Sequence, residues 1–447
     1  MFRKTLKIIG WGFLGLVVAL ILVRVIAGVV MQGRLNAKIE ELRTRGEPVT
    51  LSELVPPEIP ADQNAATLYV QAFQQMDLLG VKVTKRVGEL SHGSGPLTPG
   101  ELDEARNLLE QGKEALRLLR EGTERPQCRF AVDYSGPPFA IQLGHLAKVQ
   151  GGERLLALAV RVNLAEGKPD AAGEDCLRML ALARSPHTEP TLISMLVEIA
   201  STAVSLKQLG GVIDGSDVPP ETLRKAASAL GDIEDRGQFI RAMRAERCMG
   251  LVMIGEAARN PAVLAGITAV TPFGESNVPL SGRVLGFVFS PFILNDGLCY
   301  LDVMDRYVEL AKEPSWKGKA KVDEVLATLE TLSKSWRHPI SGFLLPALGR
   351  AGSVSDLGVA HKGCAKIAIA LRLYRLKNGR YPETVSALVP EFIDKLPVDP
   401  FSGKDFIYRT EGRGFIVYSV GSNMKDDGGV EDAKNHDAGD VVWKCAR

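Results

Sequence analysis

The pattern of apolar and polar positions is most marked at the start of the chain. Ile8 to Val23 runs without a charge, Arg24 interrupts, and Val25 to Met31 continues apolar. As one helix, Ile8–Met31 would be ~36 Å long, enough to cross a ~30 Å hydrocarbon core with some tilt. Arg24 lies past the middle, where its stem can snorkel toward an interface. The run exceeds the ~7–15 apolar residues of a cleaved signal, so a retained anchor over residues 1–33 is expected, with cleavage after Val25-Ile26-Ala27 as the rival reading. Arg3, Lys4 and Lys7 before the span favour a cytoplasmic N-terminus, although Arg34, Lys38, Arg43 and Arg45 after it nearly balance that signal.

Beyond the span, Leu35 to Arg45 reads as a polar helical continuation. It leads into a linker over residues 34–61 that carries Pro48, Pro56, Pro57 and Pro60. Asp62 offers an N-cap for a helix opening near Asn64. Residues 62–350 then read as an irregular α-helical domain. Leu102, Ala105, Leu108, Leu109 and Leu116 fall at helical spacing, as do Leu146, Val149, Leu156 and Val160. One helical hairpin is plain: Leu155–Leu164, a turn at Glu166-Gly167-Lys168-Pro169-Asp170, and a return from Ala171 to Ala183. It resembles a tetratricopeptide-type pair, but no 34-residue period accompanies it. Asn260 to Ser290 is rich in Gly and Pro and reads as a surface loop. Val284 to Tyr300 is apolar, yet Pro291, Asn295 and Asp296 favour a core segment over a second span. Lys312 to Lys321, four lysines around Trp316, reads as a solvated turn.

Composition narrows the function classes. Lys and Arg (54) nearly cancel Asp and Glu (53), so no basic excess draws nucleic acid. The six cysteines are widely spaced without a CxxC pair, which leaves zinc-ribbon and thioredoxin-type chemistry unsupported. An even count permits disulfides, with Cys364–Cys445 the first pair to check. The six histidines never fall in HExxH spacing, and no phosphate-binding glycine loop or dinucleotide fingerprint is present. Ser94 in His92-Gly93-Ser94-Gly95 comes nearest to a nucleophile elbow but lacks the flanking strand and helix. No catalytic residue and no small-molecule substrate is inferred.

Residues 355–447 carry a denser pattern. Ala360, Cys364, Ile367, Leu371 and Tyr374 mark one face of a helix that ends at Asn378-Gly379, where glycine accepts the left-handed position and Pro382 blocks resumption. Glu383–Leu388 gives a short helix, and Pro397-Val398-Asp399-Pro400 a rigid turn. Phe406–Tyr408 and Phe415–Tyr418 form an expected hairpin, with Val441–Trp443 a third strand. This order resembles the globular end of the major pseudopilin family of type II secretion (general secretion pathway protein G). The resemblance rests on Leu373-Tyr374, Asn378-Gly379-Arg380-Tyr381-Pro382, Leu388-Val389-Pro390, Leu396-Pro397-Val398-Asp399-Pro400-Phe401, Ser402-Gly403, Tyr418-Ser419-Val420-Gly421-Ser422-Asn423, Asp426-Asp427-Gly428-Gly429 and Asp440-Val441-Val442-Trp443. The chain upstream looks like uncharacterised bacterial membrane-anchored proteins with this ending.

The resemblance implies a small α+β C-terminal domain on a mainly α chain, and a calcium ion in the acidic loop between Ser419 and Asp440. Asp427 and Asp440 would be the first ligands, with Asn423, Asp426 and Asp437 in reserve. It further implies a single-pass protein of the bacterial inner membrane with its bulk extracytoplasmic. The departures count equally. No glutamate follows a leader site in the first apolar stretch, and some 300 residues separate it from the pseudopilin-like part. The expectation is therefore a non-enzymatic, membrane-anchored scaffold with a protein partner. An accessory of a secretion or pilus-like assembly is the alternative, and an enzyme in the helical domain the second alternative.

Overall fold

The computed structural model describes residues 2–93, 95–231, 236–259, 280–335, 337–432 and 439–446. The fold is mainly helical with one small antiparallel sheet. The first helix, α1 (Phe2–Thr44), is continuous for 43 residues, so part of the expected linker is helix. None of the residues in its apolar window is buried. From Arg24 onward one face becomes covered at steps of three and four, through Gly28, Met31, Leu35 and Lys38 to Leu42. The continuation is thus amphipathic rather than merely polar, and its apolar stripe meets the body.

The body follows as α2 (Ala66–Leu78), α3 (Gly80–Ser91), α4 (Pro99–Gln111), α5 (Lys113–Gly122), α6 (Gly144–Ala165), α7 (Pro169–Ala183), α8 (Leu192–Gly215) and α9 (Pro220–Ala229). The α6–α7 hairpin sits where the turn residues placed it, with Pro169 opening α7. Asn64, not Asp62, organises the start of α2: its Oδ1 accepts from Ala66 N and Arg129 N, and its Nδ2 donates to Arg129 O. Asn64 therefore fastens two segments, a job that reading local spacing alone assigns to the nearest acid.

Next come α10 (Gly237–Arg259), α11 (Leu280–Ala311), α12 (Ser315–Ser333), α13 (Pro339–Leu348) and α14 (Ala351–Asn378). The expected loop over Asn260–Ser290 is corrected in part: residues 260–279 lie outside the described residues, but from Leu280 the chain is helix, with Pro291 inside it. Packing against α1 and α10 overrides the local breakers here. Gly250 of α10 makes this approach possible, since a Cβ there would stand 2.2 Å from the Tyr300 ring. Asp296, fully buried, accepts from Ile340 N (2.7 Å) and so caps the first turn of α13.

The sheet is β1 (Ile407–Glu411), β2 (Gly414–Ser419) and β3 (Val441–Cys445) in the order β1-β2-β3, antiparallel throughout, with Glu411 opposite Gly414 and Val417 opposite Trp443. Helix α14 ends as the sequence indicated, with Gly379 left-handed at φ 77°. It is buried nearly all round, however, because the sheet covers one side and α8 and α9 the other. One hydrophobic core runs from Ala65 through α6–α9 into α14, Phe415, Val417 and Trp443. A second joins Leu35 and Leu42 of α1 to α10–α13. The C-terminal strands thus share a core with the helical body. The segment Lys312 to Lys321, expected as a solvated turn, is corrected: from Ser315 it is the opening of α12, where Trp316 N donates to Pro400 O (3.3 Å) and the ring lies against Gly403. Cys364 and Cys445 form no disulfide; the Cys364 thiol donates to Val441 O and the Cys445 thiol to Asp214.

Candidate functional site

Strand β2 is buried along its whole length, which requires a cover on each face. Phe415 and Val417 turn into the main core. Ile416 and Tyr418 lie under the acidic loop, where Gly429 (φ 79°) runs so close that a Cβ would stand 2.6 Å from Ile416. Asp440, 5% exposed, ties this loop down: its carboxylate accepts from Asp427 N (3.3 Å), Gly429 N (2.6 Å) and Val430 N (3.3 Å). Asp426 accepts from Tyr418 Oη and Gly428 N, while Asp427 accepts from Asn423 Nδ2 at 2.7 Å.

The structure therefore brings Asn423, Asp426, Asp427 and Asp440 into one loop, each engaged by donors of that same loop. Asp437 lies outside the described residues. Among the described residues, no group of three or more His, Cys, Asp or Glu could hold a metal. The donor set that calcium wants, six to eight converging oxygens, is thus not assembled by the acids described here. Asp399 was missed by sequence reading. It is 1% exposed and accepts from Phe401 N (3.1 Å), Ser402 Oγ (2.8 Å), Ser419 Oγ (2.7 Å) and Val420 N (3.4 Å), joining the proline turn to the end of β2.

Two polar clusters lie in the helical body. Ser194 Oγ donates to Glu189, whose other oxygen meets His145 Nε2 at 2.7 Å beneath a stacked Phe130 ring. The carboxylate separates hydroxyl from imidazole, and Ser194 is fully buried, so the order is not that of an activated nucleophile. The second cluster is a cavity of about 140 Å3 bordered by His92, Glu153, Arg154, Ser201 and Gln208. Glu153 Oε1 and Ser201 Oγ are buried without a hydrogen-bond partner. Burial pushes the Glu153 carboxyl up to about 8, against smaller pulls from Ser201 and Arg154. Binding sites for ligands of ordinary size begin at about 300 Å3, so this space suits bridging water better than a substrate.

A pH dependence follows. The folded protein holds the Glu153 proton between its ordinary value and about 8, whereas the unfolded chain releases it. The stability it contributes is full at low pH and is lost as pH rises through about 8. Glu153→Gln should match the parent in melting temperature near pH 4.5 and exceed it increasingly toward pH 8. A difference independent of pH would contradict the assignment.

The foot of α1 carries the densest charge network. Arg247, 1% exposed, donates to Glu47 (2.7 Å), Asp305 (2.9 Å) and Pro48 O. Arg244 grips Glu47 through two nitrogens, and Lys38 and Arg45 reach Asp305. Burial alone would raise the Glu47 carboxyl, but hydrogen bonds from Arg244 and Arg247 hold it at about 2. The sequence weighs Lys38 and Arg45 only for topology and does not mark Arg244 or Arg247; the partners lie 58 to 260 positions apart for the arginine bonds to Asp305 and Glu47.

No family model, curated protein or solved structure matches the chain.

Proposed function

We propose that this chain is a membrane-anchored extracytoplasmic scaffold, without catalysis, whose helical body presents a binding surface to a protein partner. The observation that carries the reading is α1: a 43-residue helix, exposed along its apolar window and continuous with a stripe packed into the body. The Glu47–Arg247–Asp305 network makes that junction stiff, as a scaffold held at a fixed attitude to its membrane requires. The test is a C-terminal reporter together with affinity capture from detergent-solubilised membranes. Reporter activity outside the cytoplasm and a defined stoichiometric partner support the reading. A reporter active only in the cytoplasm overturns the orientation.

The C-terminal part is read as a borrowed pseudopilin-type domain. Support comes from the quoted motifs and from the order of α14 and three antiparallel strands. Calcium in its acidic loop is proposed on the resemblance and on the excess of acids there; the described geometry adds no support. Because α14 and β3 share a core with α8, the whole chain in detergent is the right sample. A site with Kd on the order of 0.1 mM would add about 1.4 kcal/mol at millimolar calcium. The expected outcome is a melting temperature higher in calcium than in chelator, with Asp427→Ala removing the difference. Equal values would end the calcium proposal and leave Asp440 as a clamp for its own backbone.

One observation favours a second reading, an enzyme of the helical body: the buried, protonated Glu153 beside Ser201 in a cavity. Its small volume ranks it below the scaffold.

A further inference from the structure

Helix α11 does not only pack in the body. Arg24 Nη2 donates to Ser290 Oγ at 2.8 Å, Gly28 faces Pro291, and Lys38 reaches Asp302 at 3.3 Å. These pairings run in the same direction along both chains, so α1 and α11 are parallel. Because α11 begins at Leu280, ten residues before Ser290, its first turns reach about 15 Å further along the apolar part of α1.

The level of Arg24 has a physical meaning. From Arg3 to Arg24 a helix rises about 31 Å, close to the ~30 Å of a hydrocarbon core. Arg24 therefore fits the outer boundary of the span, with Ala27, Gly28 and Met31 half-buried against the body and Val25, Ile26, Val29 and Val30 exposed just beyond it. Helix α10 agrees: Gly250 against Tyr300 and Gly297 against Ile254 set it antiparallel to α11, which brings its terminal Glu256–Arg259 ion pair near the level of Pro291. At that level α11 exposes Val288 (46%), Phe289 (45%) and Phe292 (51%) on one side. Leu280 to Leu294 contains a single charged residue, Arg283. This apolar face continues the exposed apolar surface of α1 rather than standing alone on the body.

Resting on the reading of α1 as a membrane span, we propose that the start of α11 is a second membrane element. Val288, Phe289 and Phe292 meet the acyl chains at the edge of the outer leaflet, while the Arg24–Ser290 hydrogen bond joins the two helices at the boundary. The occupant of this face is lipid hydrocarbon. Two points of attachment, unlike one helix, fix the tilt and rotation of the body above the bilayer.

The test is depth measurement on the full chain in phosphatidylcholine–phosphatidylglycerol liposomes. Nitroxide labels are placed at Phe289→Cys, Phe292→Cys, Leu22→Cys and Phe139→Cys, with the unsubstituted protein giving the background. Accessibility to oxygen is compared with that to a water-soluble nickel chelate. Phe289 and Phe292 should favour oxygen several-fold, as Leu22 does, whereas Phe139, exposed on the body, should favour the chelate. Chelate preference at Phe289 and Phe292 with oxygen preference at Leu22 overturns this inference and leaves the anchor standing. Chelate preference at Leu22 overturns the anchor itself.

Discussion

Replacing Arg247 with alanine should destabilise the protein by about 3–5 kcal/mol, the cost of breaking a buried ion pair and leaving its partners uncompensated. The guanidinium is 1% exposed and binds Glu47, Asp305 and the Pro48 carbonyl at once. Arg244 still holds Glu47 in the variant, and Lys38 and Arg45 still reach Asp305, so the network is weakened rather than erased. Arg43→Ala is the control: its contact with Glu40 is exposed on both sides and should cost under about 1 kcal/mol. Denaturant unfolding in detergent checks both. An Arg247→Ala loss no larger than that of Arg43→Ala would show that the junction between α1 and the body is not held by this network.

Asp399→Ala should have a comparable effect, about 3–5 kcal/mol. Hydrogen bonds to a charged group contribute about 1.5–3 kcal/mol each, and four converge on this buried carboxylate. The loss also frees the turn at Pro397–Pro400 from the end of β2, and with it the seat on which Trp316 rests. Ser419→Ala removes one of the four donors and should cost about 1.5–3 kcal/mol, less than Asp399→Ala. Equal losses for the two variants would mean that Asp399 acts only through Ser419.

What could be read in advance follows a physical rule. The α6–α7 hairpin, the end of α14 at Gly379 and the three strands depend on local signals: a turn with glycine and proline, a left-handed cap, β-branched and aromatic runs. They stand where those signals put them. The features that were not legible depend on partners far away in sequence. Glu153 sits among residues that read as a helix, Glu189 in a stretch with no periodic signal, and nothing local marks either as buried. Leu280 to Ser290 falls in a stretch that reads as a loop, yet packing of its helix on α1 and α10 keeps it helical. The one-sided stripe on α14 was too narrow a reading, because the body covers the opposite side as well. In the acidic loop, the count of carboxylates was visible but their engagement with backbone N–H groups was not.

The central claim is that residues before Gly28 stay attached and hold the protein in a membrane. Arg24 is built into the structure through Ser290, and cleavage after Ala27 would remove it. The direct measurement is the N-terminal sequence and intact mass of the protein recovered from membranes washed in alkaline carbonate. Full-length chain in the washed membranes, with its N-terminus before Arg24, is the predicted result. A chain that begins at Gly28, or one that the carbonate wash releases into the supernatant, would contradict it.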